Sequence, residues 1–181
     1  MDPSSVDHDR NVIGAAAVLV ADRLREAVEQ IAAARGASAP ALTALLAWAD
    51  GAPIHSLAEG LGLSHSRAVR VVDQMERDRL VRRRPDPLDA RRILVSLTGS
   101  GRRAARRVLA ARADALDVVL DHLSAEHVEA LARVAEEVLF AESVDRATAR
   151  RICRLCDAVG CGHLDGRCPS TAGTDAREDV P

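Results

Sequence analysis

The 181-residue sequence contains no lysine and no tyrosine, and its only aromatic residues are Trp48 and Phe140. So few rings exclude the folds that bind single-stranded nucleic acid by stacking bases on aromatic side chains. Long apolar runs are missing too, the longest lying around Ala15 to Ala21, far short of the roughly 20 residues of a membrane span. Residues Met1 to Arg10 are polar and partly acidic, lacking the basic start and apolar run of a secretory signal, which sets the expectation of a cytoplasmic protein. A charge excess of either sign is also lacking: 25 basic residues face 27 acidic ones for a net charge of -2. That excludes a generally basic nucleic-acid coat. Cysteine does not occur before Cys153, and all four cysteines fall between there and Cys168. In a reducing compartment such clustering points to metal or redox chemistry rather than to a disulfide scaffold.

What is present is aliphatic and alanine-rich, and it patterns as helix. Residues Asn11 to Ala34 place Ile13, Ala17, Val20, Leu24, Val28 and Ile31 at spacings of three and four, one continuous apolar stripe. Gly36 and Pro40 interrupt before a second helix, Ala41 to Ala49, holding Leu42, Leu45, Leu46 and Trp48, where Trp48 reads as packing. Two short helices follow. The first, His55 to Gly60, offers Leu57, Ala58 and Leu61 to a core, Gly62 supplies the turn, and Ser64 is placed to cap the second. In the second, Ala68, Val71, Val72 and Met75 fall at i, i+3, i+4 and i+7, leaving His65, Ser66, Arg67, Arg70 and Gln74 on other faces.

The period then changes. Val81 to Arg84 and Ile93 to Leu97 read as short strands around a polar, proline-bearing tip at Pro85 to Ala90. Helix, turn, helix and hairpin is the order of a winged helix-turn-helix. Thr98 and Ser124 are placed to cap two long helices, Gly99 to Leu120 with Leu109, Leu116 and Leu120, and Ala125 to Glu142 with Val128, Leu131, Val134 and Val138. The expected fold class is therefore mainly α with a small β-hairpin wing, a winged helix-turn-helix domain plus a helical dimerisation region.

Charge is distributed unevenly along this plan. Between Ser64 and Arg112 fourteen arginines face five acids, a local excess of nine, so the remaining residues together carry minus eleven. A positive zone on an acidic body is the electrostatic footprint of duplex binding at one surface. An α-helix fits the major groove and its early turns reach base edges, so His65, Ser66, Arg67, Arg70 and Gln74 are candidate readers. Arg83, Arg84, Arg91 and Arg92 on the hairpin are candidates for phosphate or minor-groove contact.

The segments Leu57-Ala58-Glu59-Gly60-Leu61-Gly62-Leu63-Ser64, Val71-Val72-Asp73-Gln74-Met75-Glu76 and Asp89-Ala90-Arg91-Arg92-Ile93-Leu94-Val95-Ser96-Leu97-Thr98-Gly99-Ser100-Gly101 resemble the MarR-type winged-helix transcriptional regulators. The last fits that family's wing signature, D-x-R-x-x-x-V-x-L-T-x-x-G, at every fixed position. The resemblance covers residues 11–142, with a DNA-binding part at about 41–98 and dimerisation helices at about 11–34 and 99–142. It implies that Asp89 braces the wing through an ion pair and that Arg91 is a minor-groove finger. It also implies a homodimeric regulator, most often a repressor, responding to a small aromatic or phenolic effector or to cysteine oxidation. Independently, a two-fold dimer doubles the base contacts of a small reading head and matches a palindromic operator. One residue departs from the pattern: Arg79 stands where the family usually has glycine. An arginine held left-handed there would cost on the order of 1 kcal/mol, so a different helix end is expected.

The resemblance does not extend to the C-terminal part. Ile152 to Pro169 carries a C-x2-C-x4-C-x6-C array, with Cys153 and Cys156 ending a helical segment begun near Val144, and Gly160, Gly162 and Gly166 freeing the loops that return Cys161 and Cys168. Four such thiolates suit a tetrahedral zinc ion or an iron-sulfur cluster. A thiol-disulfide switch without metal, or unconnected cysteines, are the alternatives. Arg150, Arg151, Arg154 and Arg167 should lower thiolate pKa values. His163 could replace one cysteine or be merely solvated. Residues 143–169 thus read as a helical extension with a cysteine cluster, and residues 1–10 and 170–181 as a flexible start and a disordered tail. The opposing function class, a thiol-disulfide oxidoreductase using Cys153 and Cys156, has only the C-x-x-C motif behind it. The thioredoxin-like βαβ pattern is absent, and no catalytic constellation is legible, so a non-enzyme is expected.

Overall fold

The computed structural model describes residues 3–33, 38–47 and 51–178. In chain order these form α1 (Pro3–Ala33), α2 (Ala39–Leu46), β1 (Ala52–Pro53), α3 (Ile54–Leu61), α4 (His65–Arg77), β2 (Val81–Pro85), β3 (Ile93–Leu97), α5 (Gly99–Leu120), α6 (Ala125–Glu142), α7 (Arg146–Ile152) and α8 (Pro169–Glu178). One-turn 3-10 helices lie at Cys153–Leu155 and His163–Asp165. Trp48, read as packing, lies outside the described residues, as do Gly36 and the end of the chain after Glu178. None of the described helices is long and apolar enough to cross a membrane.

The helix starts are set by side chains that satisfy the first free N–H groups. Ser64 Oγ accepts from Arg67 N at 3.3 Å, Thr98 Oγ1 from Gly101 N at 3.1 Å and Ser124 Oγ from His127 N at 3.3 Å, the three caps expected from the sequence. Between α3 and α4, Gly62 sits left-handed at φ 64°, and the Leu63 N–H returns to the Ala58 carbonyl at 2.9 Å. That turn lets α4 begin with only three residues between it and the end of α3.

The sheet has the order β1-β3-β2, all antiparallel. Val81 pairs with Leu97 and Pro85 with Ile93 across the hairpin, while β1, absent from the sequence reading, adds Ala52 opposite Val95. The core gathers Val28 of α1, Leu42 and Leu45 of α2, Val72 and Met75 of α4, Leu80, Val81, Val95 and Leu97 of the sheet region, and Ala104, Ala105 and Val108 of α5. Gly101 makes the closest approach. A Cβ there would fall 2.0 Å from the Leu80 carbonyl oxygen, so the glycine of the wing signature is required by packing rather than by backbone conformation.

Two expectations about the termini are corrected. The start is helical from Pro3 rather than flexible to residue 10, with Asn11 Nδ2 donating to the Asp7 carbonyl at 2.7 Å and Arg10 facing Asp7 at 3.5 Å within the first turns. The tail continues as α8 instead of being disordered. Its small residues serve packing: Ser170, Gly173 and Thr174 are buried, and a Cβ on Gly173 would lie 2.3 Å from the Phe140 carbonyl oxygen of α6. Arg177 donates to the carbonyls of Phe140 at 3.2 Å and Ala141 at 2.9 Å, and Arg146 binds Asp175 and Glu178 at 3.1 and 2.7 Å.

Apolar side chains on the N-terminal half of α1 and along α6 have no cover, whereas the α1 stripe is half-buried at Val20, Leu24 and Ile31 and buried at Val28. On α1, Val12, Ile13, Val18 and Leu19 are half exposed or more, and α6 buries none of its residues, with Leu131, Val134 and Val138 each over 50% exposed.

Candidate functional site

Helix α4 divides its residues cleanly. Ala68, Val72 and Met75 are buried, Val71 is half-buried, and His65, Ser66, Arg67 and Arg70 are exposed together on the early turns. Gln74, the fifth candidate reader, is half-buried and donates from Nε2 to Asp78 Oδ2 at 2.8 Å, so it faces the end of its own helix.

The wing tip is built from local polar bonds. Asp86 Oδ1 accepts the Leu88 N–H at 2.9 Å, and the Arg92 carbonyl accepts the Asp86 N–H at 2.9 Å, closing the tip. Asp89, expected in an ion pair, instead accepts the Arg91 N–H on Oδ1 at 3.0 Å, a turn-forming bond. At the wing tip Arg92 Nε faces Asp86 Oδ2 at 3.9 Å. Arg91 is exposed at the tip, beside Leu88 at 96% exposure, and Arg84 is half-buried on β2.

Arg83 departs most from expectation. Its guanidinium binds Asp73 Oδ1 at 2.6 Å and the Glu76 carboxylate, and its backbone N–H donates to Glu76 Oε1 at 3.1 Å. Desolvation works against the cation, but these two carboxylates prevail and raise its pKa above the usual range. Arg83 therefore ties the wing strand to α4 rather than reaching outward. The sequence held only a partial signal: Asp73 and Glu76 sit at i, i+3 on one face of α4, and both need a cation when desolvated.

Arg79 does adopt the left-handed conformation, at φ 57°, the one positive φ outside glycine among the described residues. The helix ends as it would with glycine. Leu80 N–H returns to the Met75 carbonyl at 2.8 Å, and the Arg79 carbonyl accepts from Thr98 Oγ1 at 2.7 Å, so the turn is held from both sides. The expectation of a different helix end is thus corrected.

The four cysteines are free thiols and line a single cavity of about 120 Å³ together with Thr43, Ala44, Leu57 and Gly60 of α2 and α3. The Cys156 N–H closes a turn on the Cys153 carbonyl at 2.8 Å, and Gly162 and Gly166, both left-handed, fold the chain back to Cys168. The hydrogen bond between the Cys153 and Cys156 side chains holds Cys156 below the usual thiol range, helped by the Arg112 charge, and drives Cys153 far above it. Burial raises Cys161. Arg112, on α5, was missed in the sequence because it lies 44 residues before Cys156. His163 is exposed, with Nδ1 at 3.1 Å from Thr171 Oγ1. Among the described residues no three His, Cys, Asp or Glu side chains already stand at ligating distance from one point.

Comparison with known proteins agrees with this geometry. Residues 36–92 match the MarR family model. A MarR family protein from Bacillus stearothermophilus is similar over 76% of this chain and 95% of its own, at 25% identity and TM-score 0.60. CouR from Rhodococcus jostii RHA1, solved with p-coumaroyl-CoA, is similar over 70% of this chain and 90% of its own, at 26% identity and TM-score 0.54. The S. aureus MepR-DNA complex shares the fold over 70% of this chain and 95% of its own, at 19% identity and TM-score 0.55. No protein of curated function matches the chain significantly.

Proposed function

From the premise that this chain belongs to the MarR family by its segment 36–92, we propose that it is a homodimeric, sequence-specific duplex-DNA-binding repressor. The observation that carries this is the division of α4: its apolar face is locked into the core while His65, Ser66, Arg67 and Arg70 stand together in solvent on its first turns. Such a helix end inserts into the major groove, where arginine pairs bidentately with guanine. Arg91 and Arg92 at the wing tip flank it as backbone or minor-groove contacts, and exposed Arg102, Arg103, Arg106 and Arg107 of α5 extend the positive zone. The solved MepR-DNA complex of the same fold supports the same use.

The exposed aliphatic side chains of the N-terminal half of α1 and of α6 support dimerisation through these helices, since large apolar faces left in water mark association surfaces. A small-molecule effector is the expected signal, in the manner of the p-coumaroyl-CoA carried by CouR. The decisive test is selection from a random duplex library followed by affinity measurement at several salt concentrations. Enrichment of a palindrome, with log affinity falling steeply against log salt, is the expected result. Placed at a promoter, that palindrome should lose transcription when the protein is added. Failure to enrich any sequence rejects the reading.

A further inference from the structure

We infer that Cys153, Cys156, Cys161 and Cys168 form a four-thiolate site for a soft metal centre, a zinc ion or an iron-sulfur cluster, which fastens the C-terminal unit onto the helix-turn-helix. The first support is convergence. Two 3-10 turns and two left-handed glycines bring four thiols spread over sixteen residues to one cavity, and no disulfide joins them. Soft metals select thiolate sets of this kind.

The second support is what the segment lacks. Between Cys153 and Cys168 there is neither strand nor α-helix, and the buried residues are Gly162 and Cys168 alone among those whose burial is described. Val159 stands 72% exposed. Beyond Leu155, which packs half-buried against the core, little apolar surface is available to offset the conformational entropy of fixing so many loop residues. Metal coordination is the usual source of the missing stability in small, coreless segments. In a neighbouring cavity shared with Cys153 and Cys168, the buried Ser170 Oγ stands beside the Cys153 thiol, a polar group placed to donate to a ligating sulfur.

Occupation requires the thiols to close in, because they do not yet stand at ligating distance from one point. Each sulfur moves with a single side-chain torsion, and zinc-sulfur bonds of about 2.3 Å define the endpoint. On binding, each cysteine that is still protonated releases its proton to solvent. The cavity's other wall is α2 and α3, joined to the cysteine segment by the Thr43 hydroxyl on the Arg154 carbonyl at 2.5 Å and by Arg150 with Glu59 at 3.3 Å. Because α3 packs on α4, the centre braces the helix that precedes the reading helix. This last consequence rests on the DNA-binding reading; the metal site does not.

The test uses the full chain, purified without oxygen or chelator, with zinc, iron and acid-labile sulfide measured per chain. About one zinc, or iron with matching sulfide, is expected, falling to about a tenth or less in Cys156→Ser and Cys161→Ser. Cys161 is half-buried, so its variant should keep the parental far-ultraviolet helix signal. Chelator-stripped, reduced protein titrated with Co2+ alone should develop the visible absorption of a tetrahedral cobalt thiolate, absent from the variants. Metal-free parent with no cobalt band, or unchanged metal content in a folded Cys161→Ser, overturns the site. A confirmed site with unaltered operator affinity in Cys161→Ser overturns the bracing role. Failure of the parent to select any operator rejects the DNA reading while leaving the metal result intact.

Discussion

Helices α5 and α6 are alike in sequence and opposite in circumstance. Both are long, both begin at a hydroxyl cap, and both carry an apolar stripe. Yet α5 buries Gly101, Ala104, Ala105 and Val108 in the winged-helix core, whereas α6 buries nothing and leaves Leu131, Val134 and Val138 in water. The difference lies in side-chain size. Glycine and alanine let the sheet and α2 approach α5 closely from within the same chain, while the large aliphatics of α6 form a surface that only another body can cover. A stripe's spacing says that a face will be buried; its residue sizes say how near the partner comes.

The sharpest way to break this contrast is Gly101→Ala. The added carbon would sit 2.0 Å from the Leu80 carbonyl oxygen, a backbone atom, and 3.0 Å from Leu97 Cδ2, so a loss of about 3 kcal/mol is expected in chemical denaturation. A variant as stable as the parent would show that the close approach is not what selects glycine. On α6 the opposite outcome is expected. Val134→Asp with Val138→Asp should change the stability of the folded chain by only about 0.5 kcal/mol, since both positions are exposed in the single chain. In sedimentation equilibrium the same pair should weaken self-association by about 100-fold, roughly 2.7 kcal/mol. Unchanged association would remove α6 from the interface.

The reading head offers a second contrast, between a side chain that reads and one that clamps. Arg70→Ala should lose about 1 to 3 kcal/mol with relaxed preference at one base pair. Arg92→Ala should weaken binding evenly and reduce the salt slope by about one unit. Identical behaviour of both across operator variants would erase the distinction.

Most of the fold was legible because its signals are local. The caps at Ser64, Thr98 and Ser124, the turn at Gly62 and the period of Ala68, Val72 and Met75 each act within a few residues, and each stands where the sequence put it. What escaped depends on partners distant in sequence. Arg83 counts as one more basic residue until β2 lies against α4, when Asp73 and Glu76 claim it. Ser170, Gly173 and Thr174 resemble a solvated tail until α8 meets the Phe140 carbonyl, where smallness is the requirement. The pairing of β1 was hidden because two residues carry no period. The gathering of the cysteines was readable from their spacing, but their seat against α2 and α3 was not, because nothing in the array names the surface it packs on.

The smallest expected effect concerns the strain at Arg79. A left-handed arginine costs about 1 to 2 kcal/mol, and glycine there would remove that cost while adding about 0.5 to 1 kcal/mol of freedom to the unfolded chain. Arg79→Gly should therefore stabilise the protein by about 0.5 to 1 kcal/mol, a rise of a few degrees at most in melting temperature. The bonds of the turn are made by backbone and Thr98, so they survive the change. Strain retained at a position open to glycine needs a compensating use, and Arg79 is an exposed cation between the reading helix and the wing. Operator affinity in Arg79→Gly should accordingly fall with a salt slope shallower by about one unit, even as stability rises. Higher stability with unchanged affinity would mean that the charge has no part in binding, and lower stability would mean that the arginine side chain supports the turn in a way its backbone geometry does not require.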